Sequence, residues 1–308
     1  MTREKIAVVV PVLNGGGVWR RCAEALSLQT GCSFQVLVVD SGSGDGSAEL
    51  AAEFGFHLLR INKNEFDHGG TRQRAAQMFN ESEVIVYLTQ DSVLERPSAL
   101  ARLVSVFDDP RVGTAYGRQL PRKEAGPIEA HARLFNYPAQ SSRRTLDDVP
   151  RFGVKTAFTS NSFAAYRTEA LFAVGGFPER LILSEDAVVA ARMLKAGWAI
   201  SYVSDARVHH SHGYTLSQEF KRYFDIGVFH CEQPWILNEF GKPEGEGVRY
   251  VHSEMTYLLR KAPLLIPSAV ARTAAKLVGY KLGQRYRRLP PALRRTLSMH
   301  RGYWNQCD

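Results

Sequence analysis

Short apolar runs rich in β-branched residues recur along the first part of the chain, and each one stops at a polar or glycine-rich turn. They predict strands at Ile6–Leu13, Gln35–Val39, His57–Ile61, Val84–Leu88 and Val112–Gly117. Stretches with helical spacing separate the strands, at Val18–Gln29, Ser47–Phe54, Thr71–Phe79 and Pro97–Phe107. Strands that alternate with helices predict an α/β fold with a mostly parallel central sheet and helices on its faces.

Two of these strands are followed by an aspartate, and the ligands of an open α/β sheet bind just beyond the carboxyl ends of its strands. Asp91 follows an apolar strand with no polar residue inside it, so we place a metal, phosphate or sugar site there. The alternative is that Asp91 caps the next helix. Asp40 is placed to accept a hydrogen bond from a ribose or from the imide N–H of a pyrimidine base.

The loop after the first strand, Asn14-Gly15-Gly16-Gly17, either lets the backbone approach a ligand closely or simply turns the chain. It lacks the G-x-G-x-x-G pattern of dinucleotide-binding proteins, and no turn carries the G-K-[ST] of a P-loop. Arg72 lies in the first turn of a predicted helix, where the helix dipole disfavours a cation. Contact with a ligand phosphate or base would explain that position, and an exposed surface arginine is the alternative.

Basic residues are concentrated in the last part of the chain. The 308 residues carry a net charge of +8, and residues 249–301 hold twelve Lys and Arg against one acid, Glu254, a net +11, so the remainder carries −3. Leucines, tyrosines and basic residues interleave there at helical spacing, which favours a helix lying on an anionic membrane. Nucleic-acid binding and an ordinary packing or dimer-forming appendage are the alternatives.

The cellular setting follows from what the sequence lacks. Its four cysteines show neither metal-type spacing nor a dense disulfide framework, which predicts a reduced, cytoplasmic protein. The start of the chain carries no apolar export segment, and no apolar run approaches the roughly 20 residues that span a bilayer. We therefore expect a protein that is soluble or peripheral on the inner face of the membrane, with a linker at Gly241–Gly247 before the basic tail.

Several motifs occur in the order seen in family 2 glycosyltransferases of the GT-A fold, namely V-V-V-P-V-L-N, V-L-V-V-D-S-G-S-G-D-G-S, H-G-G-T-R and T-Q-D. The chain resembles that family from about Ile6 to Phe229, and E-F-D-H-G-G-T-R-Q is similar to the bacterial rhamnosyltransferase branch. The resemblance implies a GT-A domain over residues 1–240 and a basic helical extension over residues 241–308. It also implies an inverting enzyme that moves L-rhamnose from dTDP-β-L-rhamnose to a saccharide on a lipid carrier or a lipopolysaccharide core.

The resemblance implies roles for individual residues of the first half. It gives the nucleotide sugar a site made of Pro11, Asn14, Asp40, His68, Gly69, Arg72, Gln90 and Asp91. The chain departs from the family in one respect, because Thr89 or Gln90 stands where a second acid often precedes Asp91. A single carboxylate holds a hard cation more weakly than two.

The second half carries the candidate base. Arg118–Pro150 is polar and aperiodic, and we interpret it as a long loop with short helices that forms a mobile lid over the donor. Thr156–Tyr166 predicts a strand, and Leu181–Ala196 predicts a helix capped by Ser184. Asp186 matches the catalytic base of the resembled family, although an acid in a first turn also stabilises a helix without any catalytic role.

Two histidines complete the candidate site. His210 and His212 alternate on an extended segment after a strand predicted at Trp198–Val203, so their side chains project from one face. Neutral imidazole is a good ligand for a divalent ion, and the resemblance assigns His210 and Asp91 to Mg²⁺ or Mn²⁺. Surface histidines that bind the acceptor, or nothing, are the alternative. The candidate acceptor contacts are Asn161, Glu185 and His212.

Two rival functions fit the same residues. One is a transferase of the same fold that uses a UDP-hexose as its donor. The other is a nucleotide- or nucleic-acid-binding module without catalysis, which turnover of a sugar donor would exclude.

Overall fold

The apolar runs form the strands of a single sheet in the computed structural model, which describes residues 5–241 and 244–306. The strands are β1 (Ile6–Val12), β2 (Gln35–Asp40), β3 (His57–Arg60), β4 (Val84–Leu88), β5 (Val93–Leu94), β6 (Val112–Leu120), β7 (Ser142–Arg144), β8 (Phe163–Arg167) and β9 (Ala199–His209). The helices are α1 (Gly16–Ser27), α2 (Ser47–Glu53), α3 (His68–Met78), α4 (Ala99–Val104), α5 (Pro127–Asn136), α6 (Val149–Phe152), α7 (Thr168–Ala173), α8 (Glu185–Lys195), α9 (Leu216–Glu232), α10 (Pro234–Phe240), α11 (Glu244–Lys261), α12 (Ile266–Gly283) and α13 (Pro291–Leu297).

The sheet is mixed, with the strand order β3-β2-β1-β4-β8-β6-β9-β5 and with β7 paired to β9. The first four strands in this order, β3, β2, β1 and β4, each run parallel to the next, and β6 also runs parallel to β9. β8 lies antiparallel between β4 and β6, and β5 and β7 pair antiparallel with β9. The parallel half brings the carboxyl ends of β1, β2 and β4 to one edge, where sheets of this kind bind ligands.

Apolar residues cover both faces of the sheet. Val8 of β1 packs in a cluster with Trp19 of α1, and its neighbour Val9 packs on the other face with Val189 of α8. Successive side chains of a strand point to opposite faces, so a strand covered on both sides becomes a continuous apolar run. This burial explains why β4, five consecutive buried residues, is so apolar.

The loop predicted at Arg118–Pro150 is wrong at its start, because β6 continues to Leu120. The short helix α5 lies within that stretch, as predicted, and its role as a mobile lid stays a prediction. The added residues of β6 pair with β9, with Gln119 opposite Val208. β9 itself runs to His209, well beyond the predicted end of that strand at Val203. Pairing with a distant strand extends both elements, and a local sequence pattern carries no sign of it.

Two further boundaries differ from prediction. The strand predicted at Thr156–Tyr166 begins only at Phe163, because Gly153–Ala157 is a 3-10 helix. The helix predicted from Leu181 begins at Glu185, and Ser184 adopts a left-handed conformation with φ 65°. Ser184 occupies the N-cap position, as predicted, but its side chain makes no capping hydrogen bond.

The basic extension is helical, as predicted, and it packs on the body of the protein. α12 crosses α9 where glycines face each other: a Cβ at Gly279 would lie 2.4 Å from the carbonyl oxygen of Phe220, and one at Gly227 would lie 2.3 Å from that of Tyr280. Only glycine allows two helix backbones to approach this closely. The packing alternative for the tail is therefore observed, and binding to a membrane stays a prediction.

The end of the extension reaches the body a second time. The buried carboxylate of Asp225 in α9 accepts hydrogen bonds from the backbone N–H groups of Met299 and His300, at 2.9 and 3.1 Å. The His300 ring stacks edge-on against the ring of His68, with centroids 5.2 Å apart. The last residues of the described chain thus contact the start of α3.

Three remaining expectations concern the extension and the cysteines. The linker predicted at Gly241–Gly247 is shortened because α11 starts at Glu244, and Lys242 and Pro243 lie outside the described residues. Cys22, Cys32 and Cys231 are free, and Cys307 also lies outside the described part. Among the helices of residues 5–241 and 244–306, none has the length and apolarity needed to cross a membrane.

Candidate functional site

The loops after β1, β2 and β4 meet at one edge of the sheet. Val12 pairs with Asp40 in the register of β1 and β2, which brings the two strand ends level. The Gln90 side chain bonds the backbone of Leu13 twice, accepting from its N–H at 2.7 Å and donating to its carbonyl at 3.2 Å. The predicted nucleotide residues Pro11, Asn14, Asp40, Gln90 and Asp91 therefore lie at the ends of neighbouring strands.

Asp40 and Asn14 hold these loops in shape. The buried Asp40 carboxylate accepts hydrogen bonds from the N–H groups of Gly42 and Ser43, at 3.1 and 3.2 Å. Asn14 has φ 47° and bonds the second loop, with its Oδ1 accepting from Gly44 at 2.9 Å. Both residues thus have structural partners, and their contact with a nucleotide stays a prediction.

Asp91, His210 and His212 form a cluster whose ligand atoms all lie within 4.8 Å of one another. The Nε2 atom of His210 is 3.3 Å from Oδ2 of Asp91, and that of His212 is 3.9 Å from the same oxygen. Burial acts to raise the pKa of Asp91, but the hydrogen bond and the charge that His210 and His212 supply when protonated outweigh it and leave that pKa well below its usual range. The carboxylate is therefore ionised at neutral pH.

Hydrogen bonds behind His210 decide which of its nitrogen atoms carries the proton. The guanidinium of Arg133 can only donate hydrogen bonds. Its Nη1 lies 2.5 Å from one terminal atom of the Gln119 side chain, so that atom is the oxygen Oε1. The same oxygen is 2.9 Å from Nδ1 of His210, so that nitrogen must carry a hydrogen. Burial lowers the pKa of His210, so its ring is neutral and Nε2 presents a lone pair to Asp91.

The lone pair on Nε2 of His210 and the negatively charged Oδ2 of Asp91 are 3.3 Å apart and repel each other unless a positive charge lies between them. A proton on Nε2 would supply it at low pH, and a bound divalent ion would supply it at neutral pH. A histidine that ligates a metal ordinarily donates its other N–H to an oxygen, as His210 does to Gln119. The residues therefore fit a divalent cation held by Asp91 and His210, with His212 beside them.

A second acidic group lies at the start of α8. Glu185 is buried and pairs with Arg72, whose Nη1 lies 3.0 Å from its Oε1. Asn161 donates its side-chain amide to Glu185 at 3.0 Å and its backbone N–H to Oδ2 of Asp186 at 3.1 Å. Arg72 is 5% exposed, so the surface-arginine alternative is wrong. Its side chain neutralises Glu185, and a contact with phosphate stays a prediction.

The neighbouring acids of α8 have opposite protonation behaviour. Burial and the negative charge of Glu185 together raise the pKa of Asp186 to about 7, although two backbone N–H groups partly oppose the shift. Burial also acts to raise the pKa of Glu185, but the charge of Arg72 outweighs it and keeps Glu185 ionised. Asp186 is therefore the carboxylate that can gain and lose a proton near neutral pH.

His68 and Gly69 support this part of the site. Burial lowers the pKa of His68, which lies close enough to Glu185 and Arg72 for their charges to act on it. A Cβ at Gly69 would lie 1.7 Å from the carbonyl oxygen of Pro178, so only glycine lets α3 start at this position. Both residues thus have packing roles, and their contact with a nucleotide sugar stays a prediction.

Three hydrogen bonds connect the two groups. Gln119 accepts from His210 and donates to the hydroxyl of Ser160 at 2.9 Å, and the next residue, Asn161, donates to Asp186. Asp91 and Asp186 thus belong to one connected site. The alternative in which Asp91 caps a helix is wrong, because β5 follows it and α4 has Ser98 at its N-cap.

Sequence reasoning missed Gln119 and Arg122. Arg122 donates to both the carbonyl and the carboxylate of Asp91, at 2.8 and 3.0 Å. Gln119 is 2% exposed and joins the two halves of the site. A polar residue at the carboxyl end of a strand was the signal that identified Asp91, and the same signal applies to Gln119 once β6 is recognised as nine residues long.

The sequence matches a family model described as "Glycosyl transferase family 2" over residues 7–174. It is 45% identical to the O-antigen chain rhamnosyltransferase WbaN of Salmonella anatum, over 97% of this chain and 95% of that relative. It is 44% identical to the O-antigen chain rhamnosyltransferase RfbN of Salmonella typhimurium, over 98% of this chain and 96% of that relative.

Solved structures share the architecture at low sequence identity. The mannosyltransferase PcManGT from Pyrobaculum calidifontis, in complex with GDP-Man and Mn²⁺, superposes with a TM-score of 0.56 at 20% identity, covering 99% of this chain and 86% of that one. TarS 1-349 of S. aureus in complex with UDP gives a TM-score of 0.53 at 16% identity, covering 92% and 91%. At these identities the likeness concerns the fold alone.

Proposed function

We propose, from the premise that this chain belongs to glycosyl transferase family 2, that it moves L-rhamnose from dTDP-β-L-rhamnose to a saccharide acceptor. The chain is a glycosyltransferase of the GT-A fold with a helical C-terminal region, as predicted. Its Salmonella relatives are named for rhamnose transfer in O-antigen synthesis, which supports rhamnose as the sugar and a cell-surface polysaccharide as the product.

The observation that carries this proposal is the pairing of an ionised carboxylate–histidine cluster with a second carboxylate whose pKa is about 7. Glycosyl transfer needs positive charge against the departing diphosphate and a base for the acceptor hydroxyl. The three connecting hydrogen bonds keep Asp91 and Asp186 in one site.

Asp91 and His210 would hold Mg²⁺ or Mn²⁺, with His212 as a further ligand. When bound, the ion would neutralise charge that develops on the diphosphate. Gln119 fixes the His210 ring so that Nε2 faces the cluster. Arg122 adds a permanent positive charge beside Asp91.

Asp186 would take the proton of the acceptor hydroxyl as that oxygen attacks the anomeric carbon. Direct displacement inverts the configuration, so the β-linked donor gives an α-L-rhamnoside. Glu185 does not share this role, because Arg72 occupies its carboxylate in a buried ion pair and lowers its pKa, which makes it a weak base. We assign Pro11, Asn14, Asp40 and Gln90 to the nucleotide pocket, with Asn161 and His212 towards the acceptor.

We place the enzyme in the cytoplasm, at the inner face of the membrane, with the catalytic domain ending near residue 240. The extension exposes apolar side chains next to basic ones, among them Leu259 at 64% and Leu264 at 94%. Such a face suits an anionic membrane surface that carries the lipid-linked acceptor. A homodimer through the same face is the alternative, and sedimentation velocity separates the two.

A donor panel tests the function. The full chain with Mn²⁺ is incubated with dTDP-rhamnose, UDP-glucose or UDP-galactose, and release of free nucleotide diphosphate is measured with and without a lipid-linked saccharide. We expect release from dTDP-rhamnose, stimulated by the acceptor. Release from a UDP-hexose alone would establish the rival donor, and salt-sensitive DNA binding without any turnover would establish a binding module.

A further inference from the structure

A cavity of about 1210 Å³ lies between α5, α9, α11 and α12. Typical small-molecule sites occupy roughly 300–1,000 Å³, so this space exceeds what a monosaccharide needs. Aromatic and aliphatic side chains dominate its wall, including Phe135, Tyr223, Ile226, Val251 and Tyr280. The cavity therefore suits a ligand with a long apolar part.

The cavity extends from the candidate site to the surface of the extension. His212 and Tyr214 line it, and His212 also belongs to the cluster around Asp91. Its lining also includes Val248 and Leu277, which are 71% and 59% exposed and so reach the protein surface. A ligand that enters past these two side chains reaches the cluster without leaving the cavity.

Basic residues outnumber acids along the wall. The cavity is lined by Arg133, Lys155, Arg222, Arg272, Lys276 and Lys281, against Glu129, Glu219 and Glu246. Arg272 and Lys276 share Glu219, and Lys155 pairs with Glu246. The net charge favours an anionic ligand group.

Arg222 is the cation best placed to receive that group. Its guanidinium lies over the Tyr214 ring, 5.7 Å from the centroid. Among the side chains described at residues 5–241 and 245–305, no carboxylate forms an ion pair with it. Its side chain is exposed in the wall and close enough to His212 for its charge to act on that ring. A guanidinium binds phosphate oxygens with two parallel hydrogen bonds.

We propose that this cavity binds the carrier part of a lipid-diphosphate-linked acceptor, with the diphosphate at Arg222 and the apolar chain leaving past Leu277. This assignment rests on the proposed function, because it supplies the acceptor of the same site. Most of the apolar wall lies beyond residue 174, where the family match ends, so acceptor choice is a property of α9 and the extension.

Direct binding of farnesyl diphosphate to the full chain tests the proposal. Leu277→Trp fills the exit with a bulky ring at an exposed position, and the matched control is Val278→Trp, an exposed neighbour on the same helix that does not line the cavity. We expect saturable binding that weakens at least tenfold in Leu277→Trp and stays unchanged in Val278→Trp. Equal affinities in all three proteins, or no binding to the unmodified chain, would overturn the proposal.

The anionic end is tested with a second pair of variants. Arg222→Gln should weaken farnesyl diphosphate binding about tenfold, whereas Lys221→Gln, which lies outside the lining, should not. Inorganic diphosphate and farnesol are the partial ligands, and each should bind more weakly than farnesyl diphosphate. Equal affinity for inorganic diphosphate would reduce the cavity to an anion site and overturn the lipid assignment.

This binding assay is independent of sugar transfer. If the protein binds farnesyl diphosphate as described and releases no dTDP from dTDP-rhamnose, the proposed function fails and the cavity assignment stands. If it transfers rhamnose to a lipid-free saccharide and does not bind farnesyl diphosphate, the cavity assignment fails alone. Binding of the protein to phosphatidylglycerol vesicles distinguishes docking on a membrane surface from occupancy of the cavity. Vesicle binding should be unchanged in Leu277→Trp.

Discussion

Asp91 and Asp186 lie in the same site, yet their surroundings move their pKa values in opposite directions. Asp91 faces His210 and His212, which leave its pKa well below the usual range despite its burial, and it forms an ion pair with Arg122. Asp186 faces burial and the charge of Glu185, which raise its pKa to about 7. The surroundings thus suit Asp91 to bind a cation and Asp186 to accept a proton.

The contrast depends on where compensating charge lies. Arg72 could have neutralised both acids of α8, but its guanidinium bonds Glu185 at 3.0 Å. Asp186 is left beside an ionised neighbour, and its carboxylate accepts hydrogen bonds from the backbone N–H groups of Asn161 and Ala187. Removing each carboxylate should therefore produce a different kind of defect.

The largest expected effect is on turnover. Asp186→Asn keeps the shape of the side chain and removes the proton acceptor, so kcat for transfer should fall by roughly 100- to 10,000-fold, the usual contribution of a general base. Affinity for dTDP, measured by calorimetry, should stay within about twofold. Asp147→Asn, an exposed acid, is the control. Loss of dTDP binding in Asp186→Asn would mean that the acid is structural.

The matching change at Asp91 should affect the metal and not the base. In Asp91→Asn, affinity for dTDP in the presence of Mn²⁺ should fall by about 100-fold, because a carboxylate ligand is lost. In EDTA the variant and the unmodified protein should bind alike. His209→Ala is the control, since His209 bonds the carbonyl of Pro121 outside the cluster. Unchanged affinity in both buffers would refute the ion assignment.

Gln119 lies between the two carboxylates, where it bonds His210 on one side and Ser160 on the other. Gln119→Met removes the acceptor for Nδ1 of His210, and loss of such a partner typically weakens metal binding 10- to 100-fold. Gln119→Glu keeps an acceptor beside Arg133 and should restore most of the affinity. Titration with Mn²⁺ followed by paramagnetic resonance measures both variants. Equal losses of Mn²⁺ affinity in Gln119→Met and Gln119→Glu would indicate a packing defect.

The sequence predicted the ends of β1, β2, β3 and β4 to within one residue, because a buried strand has a strong local pattern. Alternation along an extended segment predicts that His210 and His212 project together, and the family resemblance implies that His210 lies with Asp91. The structure places the ligand atoms of all three residues within 4.8 Å of one another. Gln119 and Arg122 were not expected, because β6 reaches them only by pairing with β9. The Arg72–Glu185 pair also depends on tertiary packing, which no local rule encodes.

The smallest expected effect is the pH dependence of transfer, and it reports directly on Asp186. Its pKa in the folded protein is about 7, above the usual value of a carboxyl group, so the protonated form dominates below pH 7 and cannot accept a proton. Under saturating donor and Mn²⁺, kcat should fall about tenfold per pH unit below 7 and level off above it. The linked effect on folding has the same origin: the folded state favours the protonated acid, so stability from this group is lost as pH rises through 7. Asp186→Asn should therefore melt higher than the unmodified protein at pH 8 and show little difference at pH 4. A profile whose midpoint stays near pH 4 would show that Asp186 titrates as an ordinary carboxyl group and that its surroundings do not distinguish it from Asp91.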